Sequence, residues 1–357
     1  MRQLSIVEIE NAMDKWLTKG IREFQIPDGT QVKCLVLTKE SCLFLKKEMD
    51  ETLSHISIQT EFEVPKMGRN LFDRLLDKYN GDVVLISMGL PYHLIKARFH
   101  KGMGFIDGVA SEGEYHDDIK NHFKALYQYL RTQYEAFVLT AHEIHVDTSP
   151  FIDREIGYWT GLGHYGRHHQ LMNAMLGASF NIGFMVVGIN HEAFDTKAQT
   201  EMMQLLAHRK EQSRLFMGCK TCSKCVDACP TQICGEIEME RSKCLSYLTQ
   251  TKEAIDVAYL PKLSNRLYGC STCQYACPYS HIIEDSNIGL IELEKIIAMS
   301  QRQFKREFSH LGFAWRGLSV LKRNAYIAMR NQGITLTSEQ CQGLKSNPLV
   351  SKYMNMR

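Results

Sequence analysis

The chain has 357 residues, 44% of them apolar and 23% charged, with a formal net charge of +2; these shares exclude a disordered or fibrous protein, and the length predicts two or three folding units. The start, Met1 to Trp16, is charged throughout and lacks the basic-then-apolar layout of an export leader, while the longest apolar runs, such as Asn181 to Ile189, fall short of the ~20 residues of a membrane span. A cytoplasmic monomer without membrane association is the expectation, and its twelve cysteines read as metal ligands rather than a disulfide framework.

Short β-branched or apolar runs at Cys34 to Leu37 and Val83 to Ile86 read as buried strands. Between Asp117 and Tyr134, Ile119, Phe123, Leu126, Tyr127 and Leu130 recur at helical spacing and predict one amphipathic helix. Ala136 to Leu139 resumes strand character, and His142 and His145 then read as strand residues on one face, since their spacing is not that of a zinc-binding helix. This alternation predicts an α/β domain over residues 1–205. Residues 191–215 suit a connecting helix into a cysteine-rich domain, 206–285. Beyond it, 286–357 predicts a basic α-helical module, with a net charge of +6 between positions 301 and 331.

Nine cysteines lie within 59 positions, and eight of them fall into one pattern. The run Cys219-x2-Cys222-x2-Cys225-x3-Cys229-Pro230 has the spacing by which a loop wraps three thiolates around a cubane and sends the fourth to a second one. A second run, Cys270-x2-Cys273-x3-Cys277-Pro278, is one ligand short, and Cys244 completes it. With the cysteine before each proline crossing over, one [4Fe–4S] cluster takes Cys219, Cys222, Cys225 and Cys277, and the other takes Cys229, Cys244, Cys270 and Cys273. Paired zinc sites also use CxxC pairs, but have no use for a crossed ligand before proline. Cys34, Cys42, Cys234 and Cys341 fall outside the pattern and read as ordinary buried thiols.

Upstream, Gly161-x-Gly163-x-x-Gly166 matches the dinucleotide pattern but follows a helix-like stretch, with no acidic residue ~20 positions on, so a nicotinamide site is discounted. The same region carries Val146-Asp147-Thr148-Ser149-Pro150, Asp153-Arg154, Gly161-Leu162-Gly163 and Gly166-Arg167-His168. Together with the eight cysteines, Lys243 to Thr249, Asn265 to Cys270, Tyr115-His116 and Leu321 to Ala325, it resembles the epoxyqueuosine reductase family over about residues 110 to 330. The resemblance implies a mixed α+β or α/β architecture, with a corrinoid-binding-type domain ahead of a ferredoxin-like two-cluster domain. It implies two [4Fe–4S] clusters and cobalamin, reduction of epoxyqueuosine to queuosine in tRNA, and a small electron donor such as a flavodoxin, ferredoxin or reductase. Asp147 matches the family's proton donor, which burial against a corrin would keep protonated. Tyr115, His116, Asp147, Arg167, His168, Leu171, Ser246 and Gly269 are the expected cofactor-binding residues. Arg316, Lys322 and Arg323 are the expected tRNA contacts, with Phe313 and Trp315 available for stacking. His169-Gln170 and Phe184 depart from the family pattern, so a divergent paralogue acting on another small molecule is one alternative. A non-catalytic two-cluster electron carrier is the other.

Overall fold

The computed structural model describes residues 5–23, 26–55, 60–62, 69–97, 99–111, 113–134, 142–147, 149–190, 192, 196–235 and 239–354. The expected strand at Ala136 to Leu139 lies outside them, as does Thr148. The chain forms two compact units, the first comprising Met1–Ile58, Phe62–Tyr92 and Tyr115–Cys222, the second Gln59–Glu61, His93–Glu114 and Ser223–Arg357.

In the first unit a four-stranded sheet has the order Gln31–Leu37, Val83–Pro91, Phe180–Gly188, His142–Val146. Every pairing among these strands is antiparallel, with Val83 opposite both Leu37 and Gly188. Helices and strands do alternate along the chain, but the mixed fold is therefore of the α+β kind. Val83 to Leu90 are all buried, which explains why this strand reads as an unbroken apolar run: a central strand covered on both faces has no polar side. Helix Tyr115–Gln133 buries Ile119, Phe123, Leu126, Tyr127 and Leu130, the five residues its periodicity predicts. Each such burial contributes about 1.5–3 kcal/mol. Gly183 of the sheet faces Ile119 and Phe123, whereas its neighbour Ile182 faces Gly157 of helix Asp153–Thr160, so the two helices cover opposite faces.

Strand geometry also corrects the reading of the two histidines. Three positions apart in an unbroken ladder, His142 and His145 point to opposite faces. His142 stacks on Tyr127, and His145 on Phe184 beside Glu143. Glu143 itself accepts hydrogen bonds from Arg74, Lys78 and Tyr79, tying helix Leu71–Tyr79 to the edge strand. The connecting helix runs Thr196–Glu211. Among the described residues no helix is long and apolar enough to cross a membrane.

The second unit draws on strands the sequence assigned to the first. Met103–Ile106 lies between Leu290–Glu292, antiparallel, and Arg266–Tyr268, parallel, and Leu94–Ala97 pairs in parallel with Ile282–Ser286. Four-residue strands carry no mark of their partner, so the departure of His93–Glu114 from the first domain could not be read in advance. Residues 286–357, expected as a separate module, share this unit with the cysteine segment. Helix Leu318–Asn331 joins them: Arg323, 0% exposed, donates to the carbonyls of Leu248, Thr249 and Thr251, and Asn324 to those of Thr249 and Leu267. Arg316 donates to the Gln250 carbonyl and pairs with Glu61. Both guanidiniums are buried, which corrects their assignment as tRNA contacts, since a phosphate cannot reach them. Phe313 is likewise fully buried rather than available for stacking.

Two outcomes follow for stability. Burial opposes ionisation of Glu143, but hydrogen bonds from Lys78, Arg74 and Tyr79 outweigh it and hold the carboxyl down at about 2. Its contribution is thus complete above the ordinary carboxylate range and lost as pH falls from about 4.5 toward 2. Glu143→Gln should cost about 1–3 kcal/mol at pH 7 and flatten that acid limb in urea titrations across pH. Arg323→Ala, which strands buried carbonyls, should cost about 3–5 kcal/mol in the same assay.

Candidate active site

Short helices Lys224–Ala228 and Thr272–Tyr275 pack together in the second unit, each carrying a cysteine and followed by another, Cys229 and Cys277. The sulfurs proposed for the second cluster influence one another. Burial, and then the charges of Cys270 and Cys273, push Cys244 up to about 12, while Cys229 acts on Cys273. Burial also raises Cys270, with Arg266 opposing. A hydrogen bond from Cys234, helped by the backbone amides of Ile233 and Thr231, pulls Cys229 down to about 4 against its burial. Thiolates crowded in this way repel each other, and a cationic iron core is the partner that relieves the repulsion. The donor set fits a [4Fe–4S] cluster.

Asp107 and Gly269 set the ground beneath these sulfurs. Gly269 has φ +77°, and a Cβ there would lie 2.7 Å from the Cβ of Asp107, so the close approach admits only glycine. Its amide donates to Thr249 Oγ1, and buried Asp107 accepts from the Gly108 amide.

In the first unit, strand His142–Val146 delivers Asp147, whose φ of +39° is uncommon for a residue with a side chain. Tyr115 Oη donates to Asp147 Oδ2 at 2.8 Å, and His116 Nε2 lies 3.8 Å from the same oxygen. The Tyr115 and His116 rings stack with centroids 4.2 Å apart. The carboxylate side chain is 61% exposed. The burial expected of a proton donor is not supplied by these residues.

Arg167 donates from Nε to the Cys219 carbonyl at 2.8 Å and from Nη2 to that of Lys220 at 3.1 Å, fixing the turn that presents Cys219 and Cys222. Residues 214–216 are laid along Tyr165 by reciprocal backbone bonds. Beneath them Glu155 is buried and pairs with Arg214, which lies over the rings of Tyr158 and Tyr165. His168 is 2% exposed, and its Nδ1 accepts from the Gln170 amide at 3.1 Å. Burial, reinforced by His169 and Arg154, pushes it down to about 4. It is therefore a neutral imidazole whose Nε2–H has no hydrogen-bond partner among the described residues.

A family model described as a 4Fe-4S double cluster binding domain matches residues 218–280, the stretch that holds all eight cysteines expected as ligands. The epoxyqueuosine reductase of Listeria monocytogenes is 31% identical over 326 residues, covering 87% of this chain and 80% of that protein. The chain belongs to the epoxyqueuosine reductase family. A solved epoxyqueuosine reductase from Streptococcus thermophilus shares the fold, with a TM-score of 0.70 at 21% identity over 96% of this chain and 86% of that one. So does an epoxyqueuosine reductase solved with an epoxyqueuosine-modified tRNA-Tyr stem loop, with a TM-score of 0.69 at 23% identity over 96% and 88%.

Set against the residues expected in this reductase-family chain, the geometry sorts them. Tyr115, His116 and Asp147 come together, although 31 residues separate His116 from Asp147 in sequence. Leu171 is a core side chain packed on Gly157 and Gly163, so its assignment to cofactor binding is corrected. Ser246 uses its carbonyl on Thr249 and Gln250, and its hydroxyl accepts from Gln250. Gly163 belongs to a tight crossing, where a Cβ would meet the Met172 carbonyl at 2.3 Å; the dinucleotide pattern is a packing feature. Phe184, a departure from the family pattern, is fully buried against His145 and Phe151.

Sequence reasoning missed the Glu155–Arg214 pair, whose partners are 59 residues apart. Cys234 is buried as expected, beside Cys229 and Cys273.

Removing one ligand should register as lost iron. Cys244→Ala should reduce the content below about eight atoms per chain and give the spectroscopic signature of an incomplete second cluster. Arg167→Ala should loosen the Cys219 turn and lower cluster occupancy, with iron assay and electron paramagnetic resonance as the readouts.

Proposed function

We propose that the chain is an oxidoreductase that converts epoxyqueuosine to queuosine in tRNA, using two [4Fe–4S] clusters and cobalamin. The observation that carries this reading is Asp147. A solvent-facing carboxylate on strained backbone is held by Tyr115 and faced by His116, in a chain that also has the double-cluster domain. Opening an epoxide to the alkene releases its oxygen as water, which takes two electrons and two protons. Iron–sulfur clusters pass electrons singly. Cobalamin, when bound, supplies a metal able to deliver them as a pair.

The protein's part is positioning and proton supply. Asp147 hands a proton to the departing oxygen; Tyr115 fixes which carboxylate oxygen faces it, and His116 stands where it can return the proton afterwards. Apolar cover over this exposed carboxyl favours its neutral form. That cover comes with the bound reactants, so the acid is armed only in the loaded site. His168, with its buried Nε2–H, fits an amide or carbonyl acceptor of the corrinoid, and Tyr115 and His116 offer a stacked aromatic surface to it.

For tRNA, Lys322, which is half-buried, remains a candidate contact, and Arg302, Lys305 and Arg306 on helix Gln301–Phe308 are exposed. Trp315 is exposed and lies beside Arg316, available to an unpaired base. A small flavodoxin, ferredoxin or reductase supplies the electrons.

Asp147→Asn, assayed on epoxyqueuosine-containing tRNA, should lose about 10²- to 10⁴-fold in turnover with iron content unchanged. Unchanged turnover would remove Asp147 from the chemistry. Mass spectrometry of wobble nucleosides from a strain lacking the protein tests the substrate: accumulated epoxyqueuosine supports the reading, and normal queuosine points to another small-molecule substrate.

A further inference from the structure

In the second set of ligands, Cys270 has a polar neighbour that a bond to iron would not require. Its Sγ lies 3.3 Å from Thr272 Oγ1, a hydrogen-bonding contact in which either atom could donate. The surroundings of the hydroxyl decide the direction. Arg266 Nη2 donates to the same Thr272 Oγ1 at 2.8 Å, and a guanidinium cannot accept a hydrogen bond in return. A Cys270 sulfur that holds iron is a thiolate with no proton to give. The hydroxyl hydrogen therefore points at the sulfur. Arg266 is itself fixed in place: it is half-buried on strand Arg266–Tyr268, and its Nη1 donates to the carbonyls of Lys262 and Leu263, both at 3.4 Å, at the end of the short helix Leu260–Leu263.

We propose that Thr272, with Arg266 behind it, is a positioning residue of the second cluster: an O–H···S donor to the Cys270 ligand that raises that cluster's reduction potential. Reduction adds an electron, and part of the added charge spreads onto the ligand sulfurs. A donor aimed at one of them stabilises the reduced state more than the oxidised one, and hydrogen bonds to the sulfurs are among the features that set such potentials. Arg266 adds to the effect in two ways. Its positive charge favours the extra electron directly, and a hydroxyl whose oxygen accepts from a cation donates more strongly, because hydrogen bonds in a chain polarise one another. Neither group changes its protonation near neutral pH, since the guanidinium stays charged and the hydroxyl stays neutral. Thr231 offers Cys229 the same arrangement at 3.6 Å, so two sulfurs of this set have a hydroxyl two residues further along the chain.

The inference rests on Cys270 being a ligand of the second cluster and not on the choice of substrate, so it is tested without tRNA or corrinoid. The full chain is reconstituted with iron and sulfide, and each cluster is titrated with dithionite and redox mediators under electron paramagnetic resonance. Cys270→Ala should lose iron; retention of about eight atoms per chain would overturn the ligand assignment and the proposal with it. Thr272→Val, which keeps the shape and removes the hydroxyl, should retain about eight iron atoms. It should shift one midpoint to a more negative potential, that of the cluster altered in Cys244→Ala. Thr272→Ser keeps the donor and should restore most of the shift. Arg266→Gln should move the same midpoint in the same direction, and the double variant should move it by less than the sum of the two, because Arg266 acts partly through the hydroxyl. An unmoved midpoint in Thr272→Val would overturn the proposal, as would a Thr272→Ser midpoint as low as that of Thr272→Val. Loss of iron from Thr272→Val together with an unmoved midpoint in Arg266→Gln would also overturn it.

Discussion

Crowded sulfur is the constraint on which the second unit depends. Cys229, Cys244, Cys270 and Cys273 come from three separate stretches of chain; the charges of Cys270 and Cys273 disfavour that of Cys244, and the charge of Cys229 disfavours that of Cys273. Nothing in an ordinary hydrophobic core pushes back in this way, and a cationic cluster turns the repulsion into attraction. The surroundings are built for rigidity accordingly. Asp107 and Gly269 touch with no room for a side chain, and Arg323 and Asn324 gather the carbonyls of Leu248, Thr249, Thr251 and Leu267 from behind. A site that must hold charged ligands at fixed separations cannot rest on mobile loops alone.

The first unit solves a different problem, which is to offer one carboxylate to solvent without letting it wander. Asp147 leaves the sheet at its edge strand, and the strand is anchored one face away through Glu143 to helix Leu71–Tyr79. Tyr115 and His116 reach the same carboxylate from the start of the helix that covers the sheet. The reactive group is thus tied to two elements of the core, though its own backbone is strained and its side chain exposed.

How far all this could be read in advance depended on the range of the interactions. The helix from Tyr115 and the central strand at Val83 announced themselves because their burial patterns are local, with periods of 3.6 and of none. Cysteine spacing was equally legible, since a loop around a cubane leaves little freedom in the number of intervening residues. Pairings between distant strands were not legible, and so segment His93–Glu114 was assigned to the wrong partner. Charge misled for a related reason: Arg316 and Arg323 count toward a basic surface in the sequence, but which guanidinium turns inward is settled by carbonyls some 70 residues upstream. The two histidines at 142 and 145 show a simpler error, since alternation alone separates their faces.

The composition of the second unit bears on how the chain comes to be made. Strand Met103–Ile106 leaves the ribosome roughly 160 residues before its neighbour Arg266–Tyr268, a delay of about ten to thirty seconds at ordinary rates of synthesis. During that interval its edges are unpaired, and Leu94–Ala97 waits equally for Ile282–Ser286. Helix Leu318–Asn331, which closes the carbonyl cage behind the cysteine segment, emerges later still. The polypeptide can therefore fasten its cluster pocket only once Asn331 has been made, and loading of iron and sulfide is deferred until then.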